Sequence, residues 1–226
     1  MSRSRAVAVV GILAGLAANY WLLEGLLADR TDAAGGWVSD LGARSESTGW
    51  IFDLIDAASG VLLLAFALLV RPLLAGLSPT LRRGSLALIV AGACAVLDGA
   101  FPLSCAESLP GPCQLSYDAV DVVHVAETFV AIAATIAAFT LLAAGLIAEP
   151  DPRLVRLGYA TAVAGVLWAL CNALMGASYL VDPFEDVRGI FHRGSQLVLG
   201  LWLIALALGI ARFVASSEPG GRKRPP

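Results

Sequence analysis

The chain has 226 residues, of which 58% are apolar and only 15% charged, and its mean hydropathy is +0.79. A soluble domain is nearer half apolar and a quarter charged, so water is not the main solvent of this chain. With 15 basic against 18 acidic side chains and a net charge of -3, it has no broad basic field to hold nucleic acid, and its composition also excludes a disordered or disulfide-scaffold protein.

Crossing about 30 Å of hydrocarbon takes about 20 apolar residues in a helix. Six runs qualify, near 6–28, 50–70, 84–104, 119–148, 157–180 and 190–214. In lipid each is expected to be helical, because a helix satisfies its own backbone polar groups without water. The expected fold is all-α, a six-transmembrane-helix bundle in which 1–215 form a single membrane domain and 216–226 a disordered cytoplasmic tail. Arg3 and Arg5 precede the first run as they would a signal peptide. Its apolar stretch from Ala6 to Leu27 is longer than the usual cleaved core and no small-residue cleavage site follows, so it reads as a retained span. Gly11 and Gly15, four apart on it, suit close helix contact.

Eleven of the fifteen basic residues fall before span 1, between spans 2 and 3, between spans 4 and 5, or at the tail from Arg212 onward. Arg30, Arg44, Arg188 and Arg193 are the other four. The bias predicts cytoplasmic termini and three outer loops near 29–49, 105–118 and 181–189. Cys105 and Cys113 share the second of these, with Pro110, Gly111 and Pro112 turning the chain between them, so a disulfide is expected in an oxidising compartment. Cys94 and Cys171 sit in apolar runs and read as small hydrophobes. The first outer loop is polar enough to read as solvated, with Tyr20, Trp21, Trp37 and Trp50 as interfacial anchors.

Ionisable groups inside a membrane segment are costly and tend to mark function. Here they share the outer level: Asp53 and Asp56 on span 2, Asp98 about 8 Å inside the end of span 3, Asp121, His124 and Glu127 on span 4, His192 and Arg193 on span 6, with Glu24 and Asn172 nearby. Asp121, His124 and Glu127 follow at i, i+3 and i+6 and so descend one stripe of a helix. The inner halves are nearly free of such groups, which argues against a transporter, whose polar residues continue through the midplane.

Two imidazoles and a carboxylate are typical zinc ligands, so His124, His192 and Asp98 form the expected metal set, with room for a water whose pKa the metal lowers. Glu127 or Asp121 would then move the proton, and Arg193 would hold a phosphate or carboxylate head group. The blander alternatives are histidines that only form hydrogen bonds, Asp53 and Asp56 favoured by a helix start, and Arg193 paired with Asp98 or Glu127 as a lock. The two histidines as haem ligands fit poorly with so many carboxylates at the same level.

Ser39-Asp40-Leu41-Gly42, Phe101-Pro102-Leu103-Ser104-Cys105, His124 and Gly189-Ile190-Phe191-His192-Arg193 together resemble the bacterial membrane-protein family known as domain of unknown function 998. The resemblance implies a six-span protein of the bacterial plasma membrane with no settled activity, and it adds weight to Ser39, Asp40, His124 and Arg193. A looser likeness runs to ceramidase and adiponectin-receptor-type intramembrane hydrolases, which use serine, aspartate and three histidines around zinc. This chain offers Ser39, Asp98, His124 and His192, has six spans rather than seven, and lacks the third histidine, so a carboxylate would stand in its place. The likeness implies a lipid amide or ester as substrate. The expected assignment is therefore a metal held by His124, His192 and Asp98, catalysis by Glu127, Asp121 and Ser39, and substrate held by Arg193 and Asp40, in a pocket on the extracytoplasmic side. The alternative is an envelope scaffold or partner protein whose outer polar cluster is a salt-bridge network.

Overall fold

The computed structural model describes residues 2–109, 112–180 and 186–217. Among these the chain forms seven α-helices and no strand: α1 Arg3–Ala17, α2 Glu24–Leu27, α3 Gly49–Leu77, α4 Pro79–Ala100, α5 Ala119–Ile147, α6 Pro152–Ala177 and α7 Arg188–Ser217, with short 3-10 turns at Tyr20–Leu23 and Ser39–Gly42. Helices α3 to α7 are each long and apolar enough to cross a membrane, so this is a multi-pass membrane protein. The turn 110–111, residues 181–185 of the third loop and 218–226 of the expected tail lie outside the described residues, and α7 itself runs through Ser217.

The helix starts follow local chemistry. Asp118 accepts from the amides of Val120 and Asp121 to open α5, and Asp151 accepts from Arg153 N–H ahead of Pro152 to open α6, the usual pairing of a side-chain cap with a proline at the first position. Ser78 ends α3 and starts α4: its extended backbone is what Pro79 demands of the residue before it, and its hydroxyl caps Leu81 N–H. Span 2 therefore runs seven residues past the expected end at 70, carrying Pro72 within it, and span 3 begins at 79 rather than 84. Pro102 imposes the same restriction on Phe101, and α4 stops at Ala100 instead of 104.

The first span is not one helix. Asn19 leaves the helical region, its side-chain amide donates to Gly15 O at 3.0 Å, and its backbone N–H turns to Leu16 O instead. The side chain thus takes the carbonyl that the next helical bond would use. The segments Arg3–Ala17 and Tyr20–Leu27 meet at 55°, and only together do they pass as a span.

The helices close a ring in the order α1, α3, α4, α5, α6, α7 and back to α1. Small residues set its tightness. Gly11 of α1 meets Ala207 and Phe66, Gly15 meets the backbone at Gly200, Gly92 of α4 meets Leu64 N, and Gly158 of α6 meets the backbone of Ile147, with a built Cβ in the last two cases only 2.8 Å from those atoms. The ring is filled by Phe66, Leu142, Leu203 and Leu206, all fully buried, with Phe139 and Trp202 tilted against each other at 4.2 Å. Cys105 and Cys113 are disulfide-bonded, with Cα atoms 5.8 Å apart, at the end of the bundle where the loops 28–48 and 101–118 also lie.

Forcing a side chain against backbone costs about 1–3 kcal/mol. Gly158→Leu is therefore expected to lower the melting temperature in detergent by several degrees, whereas Gly76→Leu, whose added Cβ meets nothing within 4 Å, leaves it within a degree or two of wild type.

Candidate functional site

The disulfide end is closed by loop rather than left to solvent. In the 28–48 segment Val38, Asp40, Leu41 and Ala43 are all buried, which corrects the reading of this loop as solvated. Polar pairing compensates its burial. Asp40 Oδ2 accepts from Ser108 N–H at 2.8 Å and from the Ser108 hydroxyl, while that hydroxyl accepts from Trp37 N–H at 2.7 Å. Burial pushes the Asp40 carboxyl above its ordinary pKa despite these bonds. Arg44 N–H donates to Leu103 O and Ile190 N–H to Ala34 O, so the first loop is bonded to both the second loop and the start of α7. Trp37 is not a free interfacial anchor. It stacks on Tyr179 at 5.7 Å, carries the Arg188 guanidinium over its ring at 5.0 Å, and meets His192 edge-on.

Two of the expected site residues are spent on this construction. Asp121 accepts from Ser104 N–H at 2.7 Å and from the hydroxyls of Ser104 and Ser116, each at 2.8 Å, and so pins the second loop. Arg193 is buried and faces Glu24: Nε donates to Oε1 at 3.0 Å and Nη2 to Oε2, while Nη1 donates to Gly36 O at 2.8 Å and Gly189 O at 3.2 Å. Its partner is neither Asp98 nor Glu127. Arg44 pairs with Asp118 at 2.8 Å and holds that carboxyl at about 2.

The other expected residues converge. Ser39, Asp40, Asp98, His124, Glu127 and His192 all line one cavity of about 500 Å³ within the ring. Ligand atoms of Asp98, His124 and Glu127 lie within 4.8 Å of one another; His192 lines the same cavity but stands outside that group. The i, i+3, i+6 stripe does turn inward: Asp121, His124 and Glu127 are 1%, 7% and 6% exposed. His124 Nδ1 lies 3.0 Å from Phe101 O and 3.1 Å from Asp98 Oδ1, but only the carbonyl contact has hydrogen-bond direction. A carbonyl accepts only, so Nδ1 carries a proton. In His192 the roles reverse: Nδ1 accepts from Val38 N–H at 3.1 Å, which leaves the proton on Nε2.

Asp98 Oδ1 and Glu127 Oε2 are buried without a hydrogen-bond partner, and Asp56 lines the same cavity beside them. Asp98 sits in the last turn of α4, nearer the helix end than the expected 8 Å or so, so it faces the negative end of a helix dipole. Asp53 and Asp56 lie beyond the first turn of α3, which starts at Gly49, so the helix-start account of this pair does not apply. Together with Tyr20, Ser39 and His124 these three aspartates ring a second pocket of about 10 Å³, the size of one water molecule. Asp56 and Glu24 were placed at the outer polar level by the sequence but given no role in the chemistry, and Tyr20 was read as an interfacial anchor. A carboxylate at position 56, three residues from Asp53 on an apolar helix, was the only signal for the first; nothing local announced Glu24's partner 169 residues away.

The family described as Protein of unknown function (DUF998) matches residues 7–209. No curated protein and no solved structure matches the chain.

Breaking a buried ion pair by removing one partner costs about 3–5 kcal/mol. Arg193→Met is expected to destabilise the detergent-solubilised protein on that scale, and adding Glu24→Leu to recover part of it, as read by thermal unfolding; an additive double mutant would contradict the pairing. Asp118, held low by Arg44, favours the folded state fully above the ordinary carboxylate pKa of about 4 and loses that contribution as pH falls through about 2. In Arg44→Gln the Asp118 carboxyl resonance is expected to titrate nearer its ordinary value.

Proposed function

This chain belongs to the DUF998 family, and we propose that it is a metal-dependent hydrolase of a lipid or lipid-linked molecule. In this reading it is a six-span protein of the bacterial plasma membrane with cytoplasmic termini and its cavity on the extracytoplasmic side. One observation carries it. Glu127 Oε2 is a buried carboxylate oxygen with no donor, beside a second such oxygen on Asp98 and an imidazole. Burying unpaired carboxylates is expensive, and a shared proton or a cation removes that cost. Every arginine near this end has another occupation: Arg193 with Glu24, Arg44 with Asp118, Arg30 with Glu46, and Arg188 over Trp37.

The residues present fit a divalent metal. Asp98, His124 and Glu127 would hold it, one nitrogen and two oxygen donors, and His124 donates its Nδ1 proton to Phe101 O, which would leave Nε2 for the metal, as in metal-ligating histidines generally. The set suits zinc, and is harder than two imidazoles and a carboxylate. Bound there, such a cation would lower the pKa of a water toward neutrality and supply a nucleophile. Asp56, lining the same cavity as the three ligands, takes the proton. His192 presents Nε2–H to the cavity as a donor for a developing oxyanion. Ser39, lining both pockets, hydrogen-bonds the head group. Arg193 and Asp121 take no part in the chemistry. The scaffold reading draws on the Glu24 pair and the loop bonding, and these serve equally to hold a site.

Elemental analysis of the purified protein is expected to find near one equivalent of zinc or another transition metal, reduced at least tenfold in His124→Ala and Glu127→Gln and retained in His192→Ala. A metal-free wild type that stays folded after supplementation overturns the proposal.

A further inference from the structure

We infer that the cavity is filled sideways from the bilayer, by the single hydrocarbon chain of an amphiphile that enters between α5 and α6. The seam between these helices is tight at one end and open at the other. Toward the end away from the disulfide, a Cβ built on Gly158 lies 2.8 Å from Ile147, one built on Gly165 lies 2.9 Å from Phe139, and the Phe139 and Trp168 rings stand 6.0 Å apart. In the half nearer the disulfide, Gly176 has nothing within 4 Å of an added Cβ, yet it lines the cavity. Across from it on α5, Val125 and Phe129 also line the cavity while 43% and 69% exposed. Residues that face the cavity and the outside at once mark an opening. The next seam is narrower at this level, where a Cβ built on Gly194 of α7 would already stand at contact distance, 3.4 Å, from Cys171 Sγ.

The lining matches an amphiphile. Asp56, Asp98, His124 and Glu127 stand at the polar end, and Leu63, Trp168 and Leu203 form an apolar end deeper in the ring. A volume of about 500 Å³ falls in the range of drug-sized ligand sites, roughly 300–1,000 Å³, and admits one chain with its head but not a two-chain phospholipid. The inference rests on the hydrolase reading for the fate of the head group alone.

The test is photolabelling in nanodiscs with a palmitic acid carrying a tail diazirine, followed by peptide mapping. Label is expected on peptides holding Leu63 and Leu203, and on the lipid-facing α6 residues Val163 and Val166, which are 61% and 68% exposed. Gly176→Trp projects into open space and is expected to cut the interior label at least fivefold while leaving the surface label and melting temperature unchanged. Ala131→Phe, which narrows the cavity from α5, is expected to do the same. Label confined to the surface, or interior label undiminished in both variants, overturns the inference. Interior label on a metal-free protein sinks the hydrolase reading alone, and stoichiometric metal without interior label sinks this one alone.

Discussion

The Arg193 guanidinium is the junction on which the disulfide end of the bundle is assembled. In one buried group it joins α7 to Glu24 of the bent first segment and to the carbonyl of Gly36 in the first loop. Fixing Gly36 sets the next two residues. Trp37 then reaches Ser108, Tyr179 and His192, and Val38 N–H reaches His192 Nδ1. A planar fork with five donors and a permanent charge can satisfy a carboxylate and two carbonyls together in low dielectric, which a lysine could not do. The tautomer of one cavity-facing imidazole thus depends on a salt bridge that never touches the cavity.

The same end holds two electrostatic regimes side by side. Around the loops, charges are matched: Arg193 with Glu24, Arg44 with Asp118, Arg30 with Glu46. Within the ring, Asp56, Asp98 and Glu127 crowd together with one imidazole near them. Unmatched titratable groups crowded in a cavity are the pattern of a candidate functional site, and matched pairs the pattern of a structural one. The matched groups surround the unmatched ones and hold the helix ends that carry them at fixed distance.

Much of this was legible in the sequence. Apolar runs marked α3 to α7, and errors at their ends came from prolines: Pro79 and Pro102 each dictate the backbone of the preceding residue, which a hydropathy window does not see. That His124 and Glu127 share one helix face followed from their spacing, while the inward turn of that face is set by packing and was not legible; the Cys105–Cys113 bridge followed from two cysteines in one short loop. The break at Asn19 was hidden because the run stays apolar across it; the cause is one side chain bonding back to Gly15. Partnerships across 154 to 169 residues, Val38 with His192 and Glu24 with Arg193, leave no periodic trace. Arg193 was therefore expected to meet a ligand, when its donors were already committed.

Helix α1 ends at Ala17, well short of the level its neighbours reach, and residues 28–48 fold back to occupy the sector it leaves open. One stretch of the enclosure at the disulfide end is thus made of loop. Its backbone is tied down at Gly36, Val38 and Arg44, while Trp37, Ser39 and Asp40 reach the cavity between those ties. A helical wall changes shape only by repacking against two neighbours along its length. Here the lining can be rewritten at a few positions between fixed knots, so one unaltered scaffold can enclose cavities of different shape.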